Sequence, residues 1–423
     1  MKRVVLYCSP NPINPKSVSP RQLRVLEELT KVNIPVVILE TKWVYKERGR
    51  SGLWPFIEKN KYKSSGDALD VYSVKLMTFA LNRMKNIYSI FNIALSLLVY
   101  SVIWLSIILY LIPKLKVGVV WCSNAPDLPC TIVAIVKKFF RNRLMYIYEM
   151  RELTPELYCI RASGEAHCPF YAILRLLERI AYSSADIVVT VSAAMRDYIS
   201  RLYRPIRKTI IPLYPFPPHA EKFANKSDTL RLQKKDKIIA IYGGSVLEKI
   251  YDLPLVIDAL RQLYPQIKNS FQLLIIGRGD ETALQYILRA KNEMPEVIDY
   301  IGFLPADKYY QKLKEADMCI VPLTLNQLTS IAVPNKLVDC IITGKIVITS
   351  ALPSIVELAK RFPEAFLLYK PGSVESLSET IVNALRNRIN TNSVHNTFYK
   401  FSRVFYTNFS KILYLIKIFT TNG

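Results

Sequence analysis

The segment VPNKLVDCIITGK, residues 333–345, places an amide, a lysine and a carboxylate on the expected first turns of a helix. Pro334 suits the first helical position because its missing N–H would be unpaired there anyway. Gly344 suits the helix end, where a left-handed residue is common. Asp339 then lies about one turn into the helix. A helix N-terminus binds anions, and a carboxylate one turn in suits the hydroxyls of a ribose. An ordinary crossover with a solvated aspartate is the alternative.

Two earlier loops carry glycines that could bring the backbone close to a phosphate. YGGSVLEK contributes Gly243 and Gly244, which lack a Cβ atom to hold a ligand away, and Lys249, which adds a positive charge. IGRGD places Gly277 and Arg278 after the next strand, although a lone G-x-G is a weak signal. Each loop alone is also consistent with a plain turn. Their succession after neighbouring strands favours one anion-binding edge of a sheet.

Strands and helices must position these loops. In both halves of the chain, predicted strands alternate with predicted helices. RVVLYCS, IPVVILE, GVVWCS, LMYIYEM and DIVVTVS read as strands in the first half, and KIIAIYG, FQLLIIG, DMCIVPL and KIVITS in the second. This alternation predicts parallel, doubly wound sheets and therefore an α/β protein with two Rossmann-like domains. The predicted limits are 1–212 for the N-terminal domain, 213–236 for a linker, 237–385 for the C-terminal domain and 386–423 for a basic amphipathic tail.

The net charge of +23 is unevenly spread along the 423 residues. Residues 1–235 carry 36 basic and 17 acidic side chains, whereas residues 236–379 carry 15 and 17. Residues 380–423 carry six basic side chains and no acidic one. Such a positive field attracts phosphate-rich partners: nucleic acid, anionic lipid or nucleotide-linked substrates. We expect no nucleic-acid partner because the sequence contains no recognised nucleic-acid-binding motif.

A long apolar run, IYSIFNIALSLLVYSVIWLSIILYLI, covers residues 87–112 without a charged side chain. Its length would allow a membrane span. Basic residues flank both ends, however, so the positive-inside rule gives no orientation. Predicted strands of one sheet also lie on both sides of the run, and a single span would separate them. We therefore expect a helix that lies in or dips into a membrane interface. A buried core helix and a true span remain alternatives.

The seven cysteines have irregular spacing and form no C-x-x-C motif. This pattern predicts reduced thiols in a cytosolic setting and no disulfide framework. His167 and Cys168 are adjacent, but no second pair has ligand spacing, so no metal site is expected. The N-terminal MKRVVLYCSP has too short an apolar run for a signal peptide and reads as a first strand.

Several of these segments together resemble GT-B glycosyltransferases, and above all glycosyltransferase family 4. YGGSVLEKIYD resembles the family's G-R-L-x-x-E-K-G-x-D loop, and VPNKLVDCIITGKIVITS, with Glu357 beyond it, resembles its P-x-K-L-x-E-x-x-A-x-G-K-P-V-I segment. In the first half, YEMRELTPELY resembles a Y-[DE]-x-R-D-L-x-P-E segment of sugar transferases in surface-polysaccharide pathways, and SNAPDLPC and SSADIVVTVSAAMRDYI fit the same group. The resemblance covers nearly the whole chain and is most specific over residues 238–357.

The resemblance implies a nucleotide-diphosphate sugar donor in the C-terminal domain and an acceptor in the N-terminal one. Asp339 takes the place of the carboxylate that holds the donor ribose, and Lys249 that of a lysine at the donor diphosphate. Glu152 matches an acidic position and is the expected acceptor-side base, unless it is a plain solvated loop acid. The implied catalytic residues are Glu152, Arg151, for an acceptor phosphate, and Lys249. The implied donor-binding residues are Gly243, Gly244, Ser245, Lys249, Gly277, Arg278, Pro334, Asn335, Lys336, Leu337 and Asp339.

The implied activity is sugar transfer to a lipid-linked glycan acceptor in cell-surface polysaccharide biosynthesis, with retention of anomeric configuration. The sequence contains no D-x-D motif, so we expect neither a donor-bound metal nor a cofactor. The basic charge and the apolar run together predict a peripheral protein on an anionic membrane surface, at the cytoplasmic face of the plasma membrane.

Three departures from the family pattern leave an alternative open. The family's first glutamate is Ile331 here, the arginine of its G-R-L loop is Gly244, and the glycine after Lys249 is Ile250. The donor diphosphate therefore has fewer positive contacts, unless Ser245, Lys336 or Arg278 supplies them. A catalytically weak or inactive GT-B scaffold of a polysaccharide assembly complex is the alternative. A sugar-nucleotide epimerase of the same fold is disfavoured because a soluble substrate needs no apolar run.

Overall fold

The chain forms two compact units in the computed structural model. Unit 1 comprises Met1–Val191, Arg196–Leu213 and Asn408–Gly423, and unit 2 comprises Ser192–Met195 and Tyr214–Thr407. The structure describes residues 3–9, 20–45, 57–63, 68–78, 87–124, 127–163, 168–217, 237–244, 250–279, 281–386 and 395–421.

Unit 1 is built on a sheet whose described strands are parallel except for one edge pair. Their order is β3-β4-β2-β1-β5-β6-β7-β8, and only β3 and β4 are antiparallel to each other. β5, β6 and β7 are buried over their whole length, as expected of parallel strands covered on both faces. The strands are β1 (Val4–Ser9), β2 (Val36–Tyr45), β3 (Ile57–Lys63), β4 (Ala68–Thr78), β5 (Val117–Ser123), β6 (Met145–Met150), β7 (Ile187–Thr190) and β8 (Thr209–Pro212).

The helices between these strands form layers on the sheet. α3 packs against both α2 and α5, and all three contact β5 or β6. They are α1 (Pro20–Lys31), α2 (Ile87–Lys114), α3 (Leu128–Phe140), α4 (Thr154–Ser163), α5 (Tyr171–Ser184) and α6 (Ala193–Leu202).

Unit 2 contains a parallel sheet of six described strands in the order β11-β10-β9-β12-β13-β14. β9, the first strand of unit 2, is therefore central, which is the strand order of dinucleotide-binding folds. Ligands of such sheets bind beyond the carboxyl ends of the strands, near the point where the order reverses. The strands are β9 (Ile238–Gly243), β10 (Phe271–Ile276), β11 (Ile298–Gly302), β12 (Met318–Val321), β13 (Ile346–Ser350) and β14 (Phe366–Tyr369).

Most helices of unit 2 lie between its strands in the chain, as predicted for a doubly wound domain. The last helix is amphipathic, since Phe401, Phe405, Phe409 and Ile412 recur at helical spacing and are buried. The helices are α7 (Leu253–Ile267), α8 (Glu281–Glu293), α9 (Ala306–Glu315), α10 (Gln327–Ile331), α11 (Asn335–Ile342), α12 (Pro353–Arg361), α13 (Val374–Arg386) and α14 (His395–Thr421), whose residues from Asn408 onward belong to unit 1.

Sequence reasoning missed five elements: β3, β4, β14, α4 and α10. β3 and β4 pair as an edge hairpin next to β2. β3, with the sequence IEKNKYK, is rich in Lys and carries a weak strand signal. The short helix α10 begins at a capping box in which Asn326 and Thr329 bond each other's backbone N–H groups. α11 begins one residue later than expected, because Pro334 is its N-cap and has an extended backbone. Gly344 does follow the helix with a left-handed φ of 71°.

The prediction that the cysteines are all reduced is wrong for four of them. Cys159 is disulfide-bonded to Cys168, and Cys319 to Cys340. The second bond joins β12 to α11, which packs on that strand, so the fold brings together residues 21 positions apart. Sequence spacing could not reveal such a pair because it depends on a tertiary contact.

The apolar run forms α2, and its described side chains divide into two stripes. Trp104 and Ile108 lie one turn apart and are fully buried, whereas Val102 and Tyr110 are more than half exposed. The helix therefore packs in part on unit 1. Within the described residues, no helix combines the length and the apolar character needed to cross a membrane.

Candidate functional site

The carboxyl ends of β9, β10 and β11 are joined by backbone hydrogen bonds that two glycines donate. Gly244 N–H donates to the carbonyl of Ile276 at 2.8 Å, and Gly277 N–H donates to the carbonyl of Gly302 at 2.9 Å. Gly244 and Gly277 have φ values of 119° and 152°, a region that side chains disfavour. A Cβ atom at Gly277 would lie 1.8 Å from the Gly244 carbonyl oxygen. Both positions therefore require glycine, and the two predicted glycine loops do lie side by side.

Lys336 brings a buried positive group to the same edge. Its side chain is only 9% exposed, and its ammonium donates to the hydroxyl of Tyr242 at 3.0 Å. The ammonium also lies 4.1 Å from the ring centre of Tyr242 and 3.5 Å from that of Tyr251, which are cation–π distances. Among the described residues, no carboxylate forms an ion pair with this lysine. Burial lowers the pKa of Lys336 well below its ordinary value, and the charge of Asp339 opposes that shift.

Asp339 lies on the same helix, α11, and is also buried. Its carboxylate accepts a hydrogen bond from the hydroxyl of Tyr310 on α9 at 2.8 Å. Burial raises the pKa of Asp339 from 3.8 to about 7, although the Tyr310 hydrogen bond and the charge of Lys336 lower it. Near neutral pH the carboxyl can therefore both donate and accept a hydrogen bond, which suits a hydroxyl-bearing ligand.

The other predicted donor-binding residues of the α11 segment differ in their exposure to solvent. Pro334 caps α11, and its carbonyl accepts from the N–H of Leu337 at 3.1 Å. The Leu337 side chain is fully buried in the core, so neither its side chain nor its N–H is available to a ligand. Asn335 is the first helical residue and is exposed, at the end of the helix where anions are favoured.

The remaining predicted residues of unit 2 lie around these glycines. A Cβ atom at Gly243 would lie 2.2 Å from the ring of Tyr309, so this glycine also allows close packing. Arg278 is exposed, with its guanidinium 4.1 Å from the ring centre of Phe303. Ser245 and Lys249 lie outside the described residues, and their predicted roles stay predictions.

In unit 1, Arg151 and Glu152 follow β6, where Asn124 from the end of β5 holds them. Arg151 N–H donates to the Asn124 side-chain oxygen at 2.8 Å, and the Arg151 guanidinium donates to the Asn124 carbonyl at 2.7 Å. The Asn124 amide in turn donates to the Glu152 carbonyl at 2.8 Å and to the Thr154 hydroxyl at 3.1 Å. Asn124 therefore fixes the loop that carries both predicted acceptor-side residues. The segment SNAPDLPC contains this asparagine, but its residue types alone did not predict a role for it.

A buried acidic network lies behind this loop, and sequence reasoning missed it. Asp127 accepts from the Tyr148 hydroxyl at 2.5 Å, and burial raises its pKa to about 6. Glu178 is bonded by Arg175 and Tyr203, and burial together with the charge of Asp127 raises its pKa to about 8. Burying carboxylates without an equal number of cations is costly, so these groups bind protons more readily than exposed acids. In the described part of the chain, no cluster of His, Cys, Asp and Glu is suited to holding a metal ion.

The fold is the GT-B fold of glycosyltransferases, and residues 237–387 match the model of the family glycosyl transferases group 1. Sucrose-phosphate synthase from Thermosynechococcus elongatus has a similar structure, with a TM-score of 0.67 over 100% of both chains at 15% sequence identity.

Two curated yeast proteins are similar in sequence. The chitobiosyldiphosphodolichol beta-mannosyltransferase of Candida albicans is 23% identical over 56% of this chain and 54% of its own length. The enzyme of the same name from Debaryomyces hansenii is 24% identical over 56% of this chain and 53% of its own length. The chain thus spans about half the length of the curated relatives that it matches.

Proposed function

We propose that the protein transfers a sugar from a nucleotide-diphosphate donor to a lipid-linked glycan acceptor in cell-surface polysaccharide biosynthesis. The observation that carries this proposal is the buried ammonium of Lys336 beside Gly244 and Gly277, at the sheet edge where such folds bind nucleotides. The family match of residues 237–387 supports the same chemistry, since it covers this whole edge.

In this proposal the donor diphosphate binds next to Lys336 and the glycine backbones. Negative charge develops on the diphosphate as the bond to the sugar breaks, and a fixed cation in a buried site stabilises that charge more than water does. Asp339 hydrogen-bonds to donor hydroxyls. The transfer proceeds without a bound metal, with positive side chains and helix N–H groups taking that role, and with retention of anomeric configuration.

The acceptor is proposed to bind unit 1 at the loop held by Asn124. Glu152 hydrogen-bonds to the attacking hydroxyl, and Arg151 binds an acceptor phosphate. Because retention requires attack on the face of the leaving group, the hydroxyl proton passes to the departing diphosphate. The names of the two curated relatives specify a lipid diphosphate that carries a glycan, which supports a lipid-linked acceptor. A peripheral position on the cytoplasmic face of the plasma membrane belongs to the same proposal.

The first experiment measures the melting temperature of the protein with UDP, GDP, ADP and CMP. A ligand that binds only the folded form raises the midpoint in proportion to its occupancy. We expect one nucleotide to stabilise the wild type and to lose that effect in Asp339→Ala. Transfer assays with the matching nucleotide sugar and a polyprenyl-diphosphate glycan then follow, with and without EDTA, and proton NMR of the product reports the anomeric configuration.

A non-catalytic scaffold is the second candidate. Ile331, at the position of the family's first glutamate, is buried and apolar, and the carboxyl of Asp339 already has a partner in Tyr310. A scaffold of this kind would leave the nucleotide sugar intact. The absence of both transfer and donor hydrolysis, with a nucleotide that nevertheless stabilises the protein, would favour it.

A further inference from the structure

Three helices of unit 1 form one layer on its sheet. α3 packs between α2 and α5, and the three helices rest on the neighbouring strands β5 and β6. The sides of the helices that face away from these strands therefore belong to one continuous outer surface. We call the outer sides of α2, α3 and α5, together with the turn of residues 141–143, the α2–α3–α5 face.

Large apolar side chains lie on this face at helical spacing. Phe139 is 75% exposed, and Ile135, one turn before it on α3, is also exposed. Ile173 and Leu176 on α5 are 58% and 56% exposed. Soluble proteins rarely group so much exposed apolar surface unless it is an interaction site. The other exposed large apolar residues of the face are Val102, Leu109, Tyr110 and Phe170.

The charged residues around these apolar side chains are basic. Exposed cationic side chains end α2 and follow α3, while α3 itself contains no acidic residue. Glu178 on α5 is fully buried and bonded to Arg175, so it adds no negative charge to the surface. Asp186, just beyond α5, pairs with Lys137 at 2.9 Å. The exposed basic residues are Lys114, Lys116, Lys138, Arg141, Arg143 and Arg179.

We propose that the α2–α3–α5 face binds the surface of an anionic lipid bilayer. Aromatic and aliphatic side chains enter the boundary between head groups and acyl chains, while lysine and arginine side chains around them attract anionic lipids. The pairing of exposed apolar residues with a rim of one charge sign is the observation that selects a bilayer over a protein partner. The proposal rests on the lipid-linked acceptor proposed above, because such an acceptor is embedded in a membrane.

The proposal extends the membrane contact from the apolar run to α3 and α5, which sequence reasoning did not consider. The apolar run alone predicted residues 87–112 as the membrane-associating segment. The described part of that helix buries Trp104 and Ile108 in unit 1, whereas Phe139 and Ile173 lie on other helices and are more exposed than most of its side chains.

The test measures binding of the full-length protein to vesicles, with no substrate present, by co-sedimentation. Neutral phosphatidylcholine vesicles are compared with vesicles that also contain phosphatidylglycerol. We expect the wild type to prefer the anionic vesicles. The double variant Phe139→Ser/Ile173→Ser should bind them about tenfold more weakly, because it removes two apolar anchors. Lys138→Glu/Arg141→Glu should lose the preference for anionic vesicles.

Matched controls come from unit 2, where Leu288 and Lys268 are also exposed. Leu288→Ser and Lys268→Glu should bind vesicles as the wild type does. An unchanged melting temperature and an unchanged nucleotide shift show that the variants are folded and that donor binding is intact. If the protein does not bind the donor nucleotide, the nucleotide will not raise the melting temperature, whereas vesicle binding will be unaffected.

Three outcomes overturn the proposal. The first is a wild type that does not bind anionic vesicles. The second is binding by the face variants that is as tight as that of the wild type. The third is a loss of binding in the unit 2 controls that equals the loss in the face variants. If the wild type does not bind vesicles but forms a dimer, and Phe139→Ser/Ile173→Ser abolishes that dimer, the face is a protein contact instead.

Discussion

Lys336 occupies the space that a side chain at residue 244 would fill. A Cβ atom at Gly244 would lie 2.9 Å from Cε and 3.0 Å from Nζ of Lys336. In the family that the sequence resembles, this loop position is an arginine. The helix α11 therefore brings a cation to the place where the loop lacks one, and a large side chain at residue 244 would displace it. The absence of an arginine at residue 244 and the burial of Lys336 next to it are therefore linked.

Replacing Lys336 with methionine tests this arrangement. We expect Lys336→Met to weaken binding of the stabilising nucleoside diphosphate by about tenfold or more, because a charge-assisted contact to phosphate is lost. The variant should be at least as stable as the wild type without ligand, since burying an ammonium is unfavourable. Calorimetric titration and urea unfolding measure the two effects. Lys308→Met, at an exposed position of α9, is the matched control. Unchanged nucleotide affinity in Lys336→Met would remove this lysine from the donor site.

Replacing Gly277 with alanine tests the backbone contact between the two glycine loops. The new Cβ atom would overlap the Gly244 carbonyl, so we expect a loss of roughly 3 kcal/mol in unfolding free energy. Gly372→Ala is the control: Gly372 also has a positive φ, of 74°, but a Cβ atom there has no neighbour within 4 Å. It should cost about 1 kcal/mol. Equal losses in urea unfolding of the two variants would mean that the contact between the loops contributes nothing.

The pKa of Asp339 predicts how stability depends on pH. Its pKa rises from 3.8 to about 7 on folding, so the folded protein holds this proton more tightly than the unfolded chain. The resulting stabilisation is complete below pH 4 and is lost as the pH rises through about 7. Wild type should therefore lose stability relative to Asp339→Asn over this interval, by up to about 1.4 kcal/mol per pH unit.

Urea unfolding at several pH values measures this difference. The ionisable groups that face Asp339 are Lys336 on its own helix and Tyr310 and Tyr309 on α9, and they are present in both proteins. Asp307→Asn, at an exposed site of α9, should follow the wild type. Parallel pH profiles for wild type and Asp339→Asn would contradict the raised pKa.

Asn124 should act as a positioning residue for the acceptor side. Asn124→Ala removes hydrogen bonds to Arg151, Glu152 and Thr154, and we expect kcat for transfer to fall about tenfold or more. The nucleotide melting shift should not change, because the donor residues belong to unit 2. Asn124→Asp still accepts from Arg151 but cannot donate to Glu152, so it should be intermediate. Asn292→Ala, on an exposed asparagine of α8, controls for general effects. A normal kcat in Asn124→Ala would show that the hydrogen bonds of Asn124 are structural only.

The sequence predicted the parts of the fold that depend on local patterns. Apolar runs, glycines and helix signals predicted most strands of both sheets, the glycine loops of residues 243–244 and 277, and α11 with Asp339 near its first turn, but not β3, β4 or β14. The contact of Lys336 with Gly244 could not be predicted, because it joins residues that are 92 positions apart through the packing of α11 on the sheet. The cluster of Asp127 and Glu178 and the Cys319–Cys340 bond depend on tertiary contacts in the same way.

The contacts of Lys336 with two aromatic rings have a consequence for the rate of the proposed reaction. Its ammonium rests on the rings of Tyr242 and Tyr251, and no described carboxylate forms an ion pair with it. An incoming diphosphate therefore breaks no ion pair of Lys336 within the described residues, where Asp339 acts on this lysine only through its charge. We therefore expect the proposed donor to bind readily and the spent nucleotide to leave slowly, so the product nucleotide should inhibit strongly.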